Sequence, residues 1–203
     1  MNDMTEPAFS FDDTSEALIP AIIAKYPEGK QASAVMPLLD LAQRQMARQT
    51  GHAWVPRAAM DAIARRLSMP SMRVYEVATF YTMYHTKPVG RYHLQVCTTT
   101  PCWLRGSDEV MEACRKAAEA DGETFSIEEV ECLGCCVNAP VVQVNDDVYE
   151  DLDGPRTEDL LDRLRAGDVP PPGSMIGRQN SAPEGGPTTL FNVGGGKQEG
   201  GAE

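Results

Sequence analysis

The sequence predicts an α+β chain in three parts: a helical bundle, a small sheet with helices packed on it, and an extended C-terminal tail. Three observations predict it. Apolar residues recur at helical spacing through residues 14–88. The period then changes, with short β-branched runs separated by turn residues over 89–167. From residue 168 to 203 proline and glycine dominate and no apolar period remains.

Ahead of the bundle, residues 1–13 read as a flexible acidic N-terminus. A first helix carries Leu18, Ile22 and Ile23 and stops near Pro27-Glu28-Gly29. A second runs from about Ser33 to Gln49, with Pro37 tolerated in its opening turns. Leu38, Leu39, Leu41 and Ala42 form its stripe, and Gly51 lies just past its end. Pro56 suits the first position of a third helix, which continues through Ala59, Met60, Ile63 and Leu67. A fourth starts near Ser71 and carries Val74, Val77, Phe80, Tyr81 and Met83. Short connections join the four, as in a small bundle whose stripes form the core.

In the second part Tyr92, Leu94 and Val96 alternate with His93 and Gln95, a half-buried strand ending at Cys97. Ser107–Ala120 reads as a helix with Val110, Met111 and Cys114 on one face, Cys114 being a small core residue. Phe125–Val130 is a second strand. Val141, Val142 and Val144, then Val148 and Tyr149, are two more, joined by a hairpin turn at Asn145-Asp146-Asp147. Thr157 is placed as N-cap of a last helix running to Ala166, with Gly167 after it. The order β-α-β-β-β-α is of thioredoxin-like type. The tail, 168–203, cannot bury a core of its own. Its isolated Leu190 and Phe191 suit an arm that orders on a partner.

Composition excludes several roles. Thirty acidic residues stand against 18 basic ones, a poor surface for nucleic-acid phosphate. No apolar stretch approaches the ~20 residues of a membrane-spanning helix. The first residues carry neither a secretory nor a transit pattern, so a cytosolic, bacterial chain is expected. His52, His85 and His93 show no ligand spacing. No G-x-G-x-x-G or Walker A motif offers a nucleotide site.

Six cysteines in a reducing compartment point to metal or redox chemistry. Cys97 and Cys102 form C-x4-C at the end of the first strand; Cys132 and Cys136 form C-x3-C after the second. If those strands run parallel, both loops lie at one edge of the sheet and four thiolates can face one another. Structural zinc prefers tighter C-x2-C knuckles, whereas four thiolates with a wide first loop suit an iron–sulfur cluster. The N-terminus of the 107–120 helix is expected to face the site, and Leu133-Gly134 allows a tight turn around sulfur. Cys135 keeps two alternatives open: it is a second candidate for the fourth ligand, and Cys132-Leu133-Gly134-Cys135 also reads as a dithiol motif. Trp103, beside Cys102, is placed either in the core or on a partner surface that shields the site. From 117 to 155 there is no Lys or Arg but there are eleven acids. Negative charge near a cluster disfavours an added electron, so a low reduction potential is expected.

Two motifs carry a family resemblance. Cys97-Thr98-Thr99-Thr100-Pro101-Cys102, followed by Leu104-Arg105-Gly106, and Glu131-Cys132-Leu133-Gly134, followed by Cys136-Val137-Asn138-Ala139-Pro140, resemble the small [2Fe–2S] subunit (the E subunit) of NADH:quinone oxidoreductase, respiratory complex I. Residues 77–84, 149–152, Pro172-Gly173, Gly177-Arg178 and 184–188 match as well. The resemblance implies a thioredoxin-like [2Fe–2S] ferredoxin domain behind the bundle, with Cys97, Cys102, Cys132 and Cys136 as cluster ligands and an ordered tail that binds a partner. Cys135 departs from the family, which usually has Ala or Met there.

The resemblance also implies a component of a proton-translocating NADH:quinone oxidoreductase that has a redox cluster and no substrate site of its own. Its partners would be the NADH- and FMN-binding flavoprotein subunit and the large iron–sulfur subunit, on the cytoplasmic side of the bacterial inner membrane. NADH and FMN would sit on the flavoprotein, whose flavin exchanges single electrons with the cluster. The equivalent diaphorase subunit of an NAD-linked formate dehydrogenase or hydrogenase is the alternative. A dithiol oxidoreductase using Cys132 and Cys135, and a structural zinc protein, are further from the motifs.

Overall fold

The structure, a computed structural model, describes residues 9–186 and 189. Leu190 and Phe191, singled out in the tail, and most of the acidic N-terminus lie outside the described residues. Contacts divide the chain into two units, residues 1–93 with 117–126, and residues 94–116 with 127–203.

The first unit holds four helices: α1 (Asp13–Ile23), α2 (Val35–Thr50), α3 (Arg57–Leu67) and α4 (Ser71–Phe80). The Asp12 side chain caps α1 by accepting from Ser15 N at 2.7 Å, which satisfies one of the free N–H groups of the first turn. Residues 9–13 are tied to the helices by hydrogen bonds and packing. Gln45, buried on α2, accepts from Asp12 N and donates to the Ser10 carbonyl, and Phe9 and Phe11 pack against the core. That core is built on Ile19, Leu38, Leu39, Ile63 and Val74. Ile19, not Leu18, anchors α1; Leu18 is exposed.

A 3-10 turn over Gln31–Ala34 precedes α2 where the sequence suggests helix from Ser33. Gly51 ends α2 in the left-handed region, φ 82°, which glycine adopts without steric cost. Pro56 stands one position earlier than expected, extended, just before α3. α4 departs most. The backbone turns extended at Tyr81 (ψ 115°), so Val74 and Ala78 are buried while Phe80, Tyr81 and Met83 face solvent. Tyr84 is the aromatic that enters the core, its hydroxyl donating to the Met36 carbonyl at 2.9 Å. Burial pushes its pKa up to about 12. Gly90 in this unit lies against the backbone of 125–126. A Cβ there would stand 2.6 Å from both Phe125 C and Ser126 N. Gly90→Ala should therefore cost about 1–3 kcal/mol, read as a lower urea midpoint.

The sheet has five strands in the order β2-β1-β3-β4-β5: β1 (Tyr92–Cys97), β2 (Phe125–Val130), β3 (Val142–Val144), β4 (Asp147–Glu150) and β5 (Gly173–Ser174). β1 pairs antiparallel with β3, Leu94 opposite Val144 and Val96 opposite Val142. β3 and β4 form the expected hairpin, closed by Asn145-Asp146, with Asp147 already paired to Val144. Asn145 takes φ 54°, a conformation Asn tolerates. β1 is buried on both faces rather than half-buried. His93 is buried, its Nδ1 2.8 Å from Ser126 Oγ and its ring 4.5 Å from that of His85.

Helices of the second unit are α5 (Thr100–Leu104), α6 (Ser107–Ala120, whose last turn belongs to the first unit) and α7 (Gly154–Arg165). Val110, Met111 and Cys114 of α6 are buried, as the sequence pattern predicts. α7 starts earlier than expected because Asp153, not Thr157, is its N-cap, accepting from Arg156 N at 2.8 Å. Thr157 is buried inside the helix with its hydroxyl donated to the Asp153 carbonyl.

The tail adds a strand that the sequence pattern does not show. After Gly167 the chain returns to the sheet, and β5 pairs parallel with β4, Tyr149 opposite Gly173 and Glu150 opposite Ser174. Tyr149, fully buried, donates to the Pro170 carbonyl at 3.0 Å. A two-residue strand containing glycine carries no periodicity, so sequence pattern does not reveal it.

Candidate functional site

All four expected ligand cysteines belong to the second unit. Cys97 ends β1. Cys102 sits inside α5, a short helix too brief to show a period; the sequence pattern points instead to α6 as the helix that opens beside the site. Both cysteines are almost fully buried. Cys132 follows β2 and Cys136 opens a 3-10 turn, Cys136–Asn138; both are exposed. Gly134 between them takes φ 87°, a turn that a side chain would strain.

The thiols stand as two pairs. Cys132 Sγ and Cys136 Sγ are 3.3 Å apart, and Cys97 and Cys102 act on each other, Cys97 lowered and Cys102 raised. One member of each pair is held toward thiolate. Burial raises the Cys97 thiol, but hydrogen bonds from the Thr99 hydroxyl, the Thr99 N–H and the Leu133 N–H outweigh it and hold it below the usual thiol range. The Gly134 N–H, 3.4 Å from Cys132 Sγ, lowers Cys132 most, followed by Cys136. Their partners go the other way. Cys102 is pushed up to about 12, first by burial and then by Cys97. Cys136 is raised, first by its hydrogen bond with Cys132. Charge on Cys97 also raises Cys132 and Cys136, and charge on Cys136 raises Cys102. The two pairs therefore lie within electrostatic reach of each other. Among the described residues no group of three His, Cys, Asp or Glu side chains is placed to hold a single metal ion.

Backbone N–H groups of Thr99, Leu133, Gly134 and Val141 point at these sulfurs. Such donors offset negative charge on a thiolate site. They arise from the loop and short-helix geometry, which residue spacing does not encode.

Cys135 is half-buried and packs, with Leu133 and Val148, against the apolar cluster of Cys97, Cys102, Ala139 and Val141. Burial raises its thiol, and Glu150 beside it raises it further. It lines one groove with Asn138, Glu150 and Ser174. Cys136 lines another, with Pro101, Leu104, Arg105 and Glu184. Trp103 is 58% exposed and belongs to the surface, as do Leu104 and Val137 beside the same loops. Of the acidic stretch, Glu129 accepts from the Thr98 hydroxyl at 2.6 Å and Glu150 from Asn138 Nδ2 at 2.6 Å.

A brace from the tail holds the 132–140 loop, and no sequence signal announces it. Arg178 is 6% exposed and Asp151 3%, with Nη2 2.6 Å from Oδ1. Ser174 Oγ donates to the other Asp151 oxygen at 2.7 Å. Arg178 Nη1 reaches the Val137 carbonyl, 3.2 Å, and Asn138 Nδ2 donates to the Asn180 carbonyl, 2.8 Å. Gly177-Arg178 stands out in the sequence only through the family resemblance. Nothing local pairs an arginine with an acid 27 positions away.

The family model described as thioredoxin-like [2Fe-2S] ferredoxin matches residues 19–165. The NADH-quinone oxidoreductase E subunit of Rickettsia bellii (strain RML369-C) is 55% identical over 163 residues, 77% of this chain and 95% of that protein. One of the corresponding E subunits of Rhizobium meliloti (strain 1021), numbered 1, is 47% identical over 198 residues, 93% of this chain and 70% of that protein. Among solved structures, an NAD+-reducing [NiFe]-hydrogenase in the H2-reduced state is similar with TM-score 0.54 at 18% identity, over 68% of this chain and 23% of that one. That likeness concerns the fold alone. The chain belongs to the thioredoxin-like [2Fe–2S] ferredoxin family, in the line of the NADH-quinone oxidoreductase E subunits.

Proposed function

We propose that Cys97, Cys102, Cys132 and Cys136 hold one [2Fe–2S] cluster and that the chain is the electron-transfer subunit of the NADH dehydrogenase module of respiratory complex I. The observation that carries this reading is the pairing of four thiols on two loops of one unit, in a chain 55% identical to an NADH-quinone oxidoreductase E subunit. The donor set suits the group: four thiols, two already nearer thiolate, with N–H groups aimed at sulfur. When bound, such a cluster supplies a one-electron couple. The chain's own residues do the rest. The sheet edge and α5 fix one pair, and the Leu133-Gly134 turn fixes the other. Ala139 and Val141 pack with the buried pair. Cys102 and Cys136 release their protons on binding, since the ligand is the thiolate.

The neighbouring flavoprotein subunit binds NADH and FMN, and its flavin exchanges single electrons with this chain. The large iron–sulfur subunit is the second partner. The chain sits on the cytoplasmic side of the membrane through the complex; among the described residues no helix is long and apolar enough to cross one. The identity of 47–55% to NADH-quinone oxidoreductase E subunits favours complex I over a hydrogenase or formate dehydrogenase. The test is reduction by NADH. Alone, the purified chain should stay oxidised when NADH is added. Mixed with its flavoprotein, it should be reduced within the turnover time. Reduction of the isolated chain by NADH would contradict the reading.

The acidic residues predict the potential's direction. A potentiometric titration should place the midpoint in or below the plant-ferredoxin range of about −400 mV. A value well above that range would show that screening by solvent removes their effect.

A further inference from the structure

Three consecutive threonines follow Cys97, and their hydroxyls do different things. Thr98 donates to Glu129 at 2.6 Å. Thr100 is exposed. Thr99 occupies the N-cap position of α5, with φ −69° and ψ 168°, and its carbonyl accepts from Trp103 N at 2.9 Å. A threonine in that position ordinarily turns its hydroxyl to the N–H of the second or third helical residue. Thr99 makes no such bond. Pro101 has already removed one of the two donors. The hydroxyl lies instead 3.3 Å from Cys97 Sγ.

We propose that the Thr99 hydroxyl donates a hydrogen bond to the Cys97 sulfur and thereby raises the reduction potential of the cluster. The proposal rests on the reading that the four cysteines hold the cluster. Reduction adds negative charge that spreads onto the thiolates, and a fixed O–H dipole aimed at sulfur stabilises the reduced form more than the oxidised one. This opposes the acidic residues, which disfavour the added electron. The backbone N–H groups of Thr99, Leu133, Gly134 and Val141 act in the same sense, but no side-chain substitution removes them. Thr99 is a positioning residue whose contribution can be deleted, because valine keeps its shape without the donor.

The experiment compares full-length wild type, Thr99→Val and Thr99→Ser, purified without oxygen, by iron and sulfide analysis and by potentiometric titration followed by EPR. Unchanged iron and sulfide in both variants is expected, with a midpoint shifted to lower potential in Thr99→Val and kept near wild type in Thr99→Ser. An unshifted Thr99→Val that carries its cluster overturns the proposal, as does an equal shift in both variants. If Thr99→Val does not fold, Thr99→Ala takes its place under the same criteria. If the folded hydroxyl-free variants bind no iron while Thr99→Ser does, the hydroxyl serves to hold the cluster rather than to set its potential, and the proposal fails as stated. Wild type without iron or sulfide defeats the underlying reading instead, so the two failures are distinguishable.

Discussion

Cys136→Ala should abolish the EPR signal of the reduced protein, whereas Cys135→Ala should leave it in place. The two residues are adjacent and both thiols, so spacing alone does not separate them. Their surroundings do. Cys136 Sγ is 3.3 Å from Cys132 Sγ and shares a hydrogen bond with it. The groups acting on Cys135 are burial, Glu150 and its two cysteine neighbours, and it packs with Leu133 and Val148. A carboxylate beside a thiol keeps the proton on sulfur, the opposite of what a ligand needs. Cys136→Ala should lower iron content to a minor fraction of wild type. Cys135→Ala removes only a small half-buried side chain and should hold about two irons and two sulfides per chain. The reverse outcome would move the fourth ligand to Cys135.

Arg178→Ala should be among the most destabilising single changes in the second unit, at about 3–5 kcal/mol. The arginine and Asp151 are both buried and 2.6 Å apart. Removing one partner leaves the other charged and without its counter-ion where both side chains are nearly buried. Ser174 still donates to Asp151 in the variant, which keeps the loss toward the lower end of that range. Replacing both, Arg178→Met with Asp151→Asn, should cost clearly less than Arg178→Ala alone, because no uncompensated charge remains. Urea unfolding of the three variants measures this. The same substitution frees the Val137 carbonyl next to Cys136. Cluster absorbance should therefore decay faster in air in Arg178→Ala than in wild type. Equal decay rates would show that the brace stabilises the fold without guarding the site.

Much of the fold is legible where a pattern has a physical cause that is local in sequence. α6 and β2 have the bounds their patterns predict, and for α6 the helical stripe of Val110, Met111 and Cys114 reports burial directly. The hairpin at Asn145-Asp146 is legible because few residues accept φ near 54°. The sequence extends α4 too far because Phe80, Tyr81 and Met83 continue its apolar spacing although the backbone leaves the helix at Tyr81. The sequence places the cap of α7 at Thr157, whereas Asp153 caps it and Pro155 sits in its first turn, where proline is tolerated. β5 and the Arg178–Asp151 pair are illegible, since both depend on a return of the chain across more than 20 residues. In the site, residue types and spacing single out four cysteines. The donors around them, Thr99 above all, come from how loops fold over sulfur.

The most direct test of the account is anaerobic purification of the full chain, with iron and acid-labile sulfide analysis and EPR of the dithionite-reduced protein. The account predicts about two irons and two sulfides per chain and a [2Fe–2S] signal that appears on reduction. Zinc without acid-labile sulfide, or iron without a signal on reduction, would contradict it.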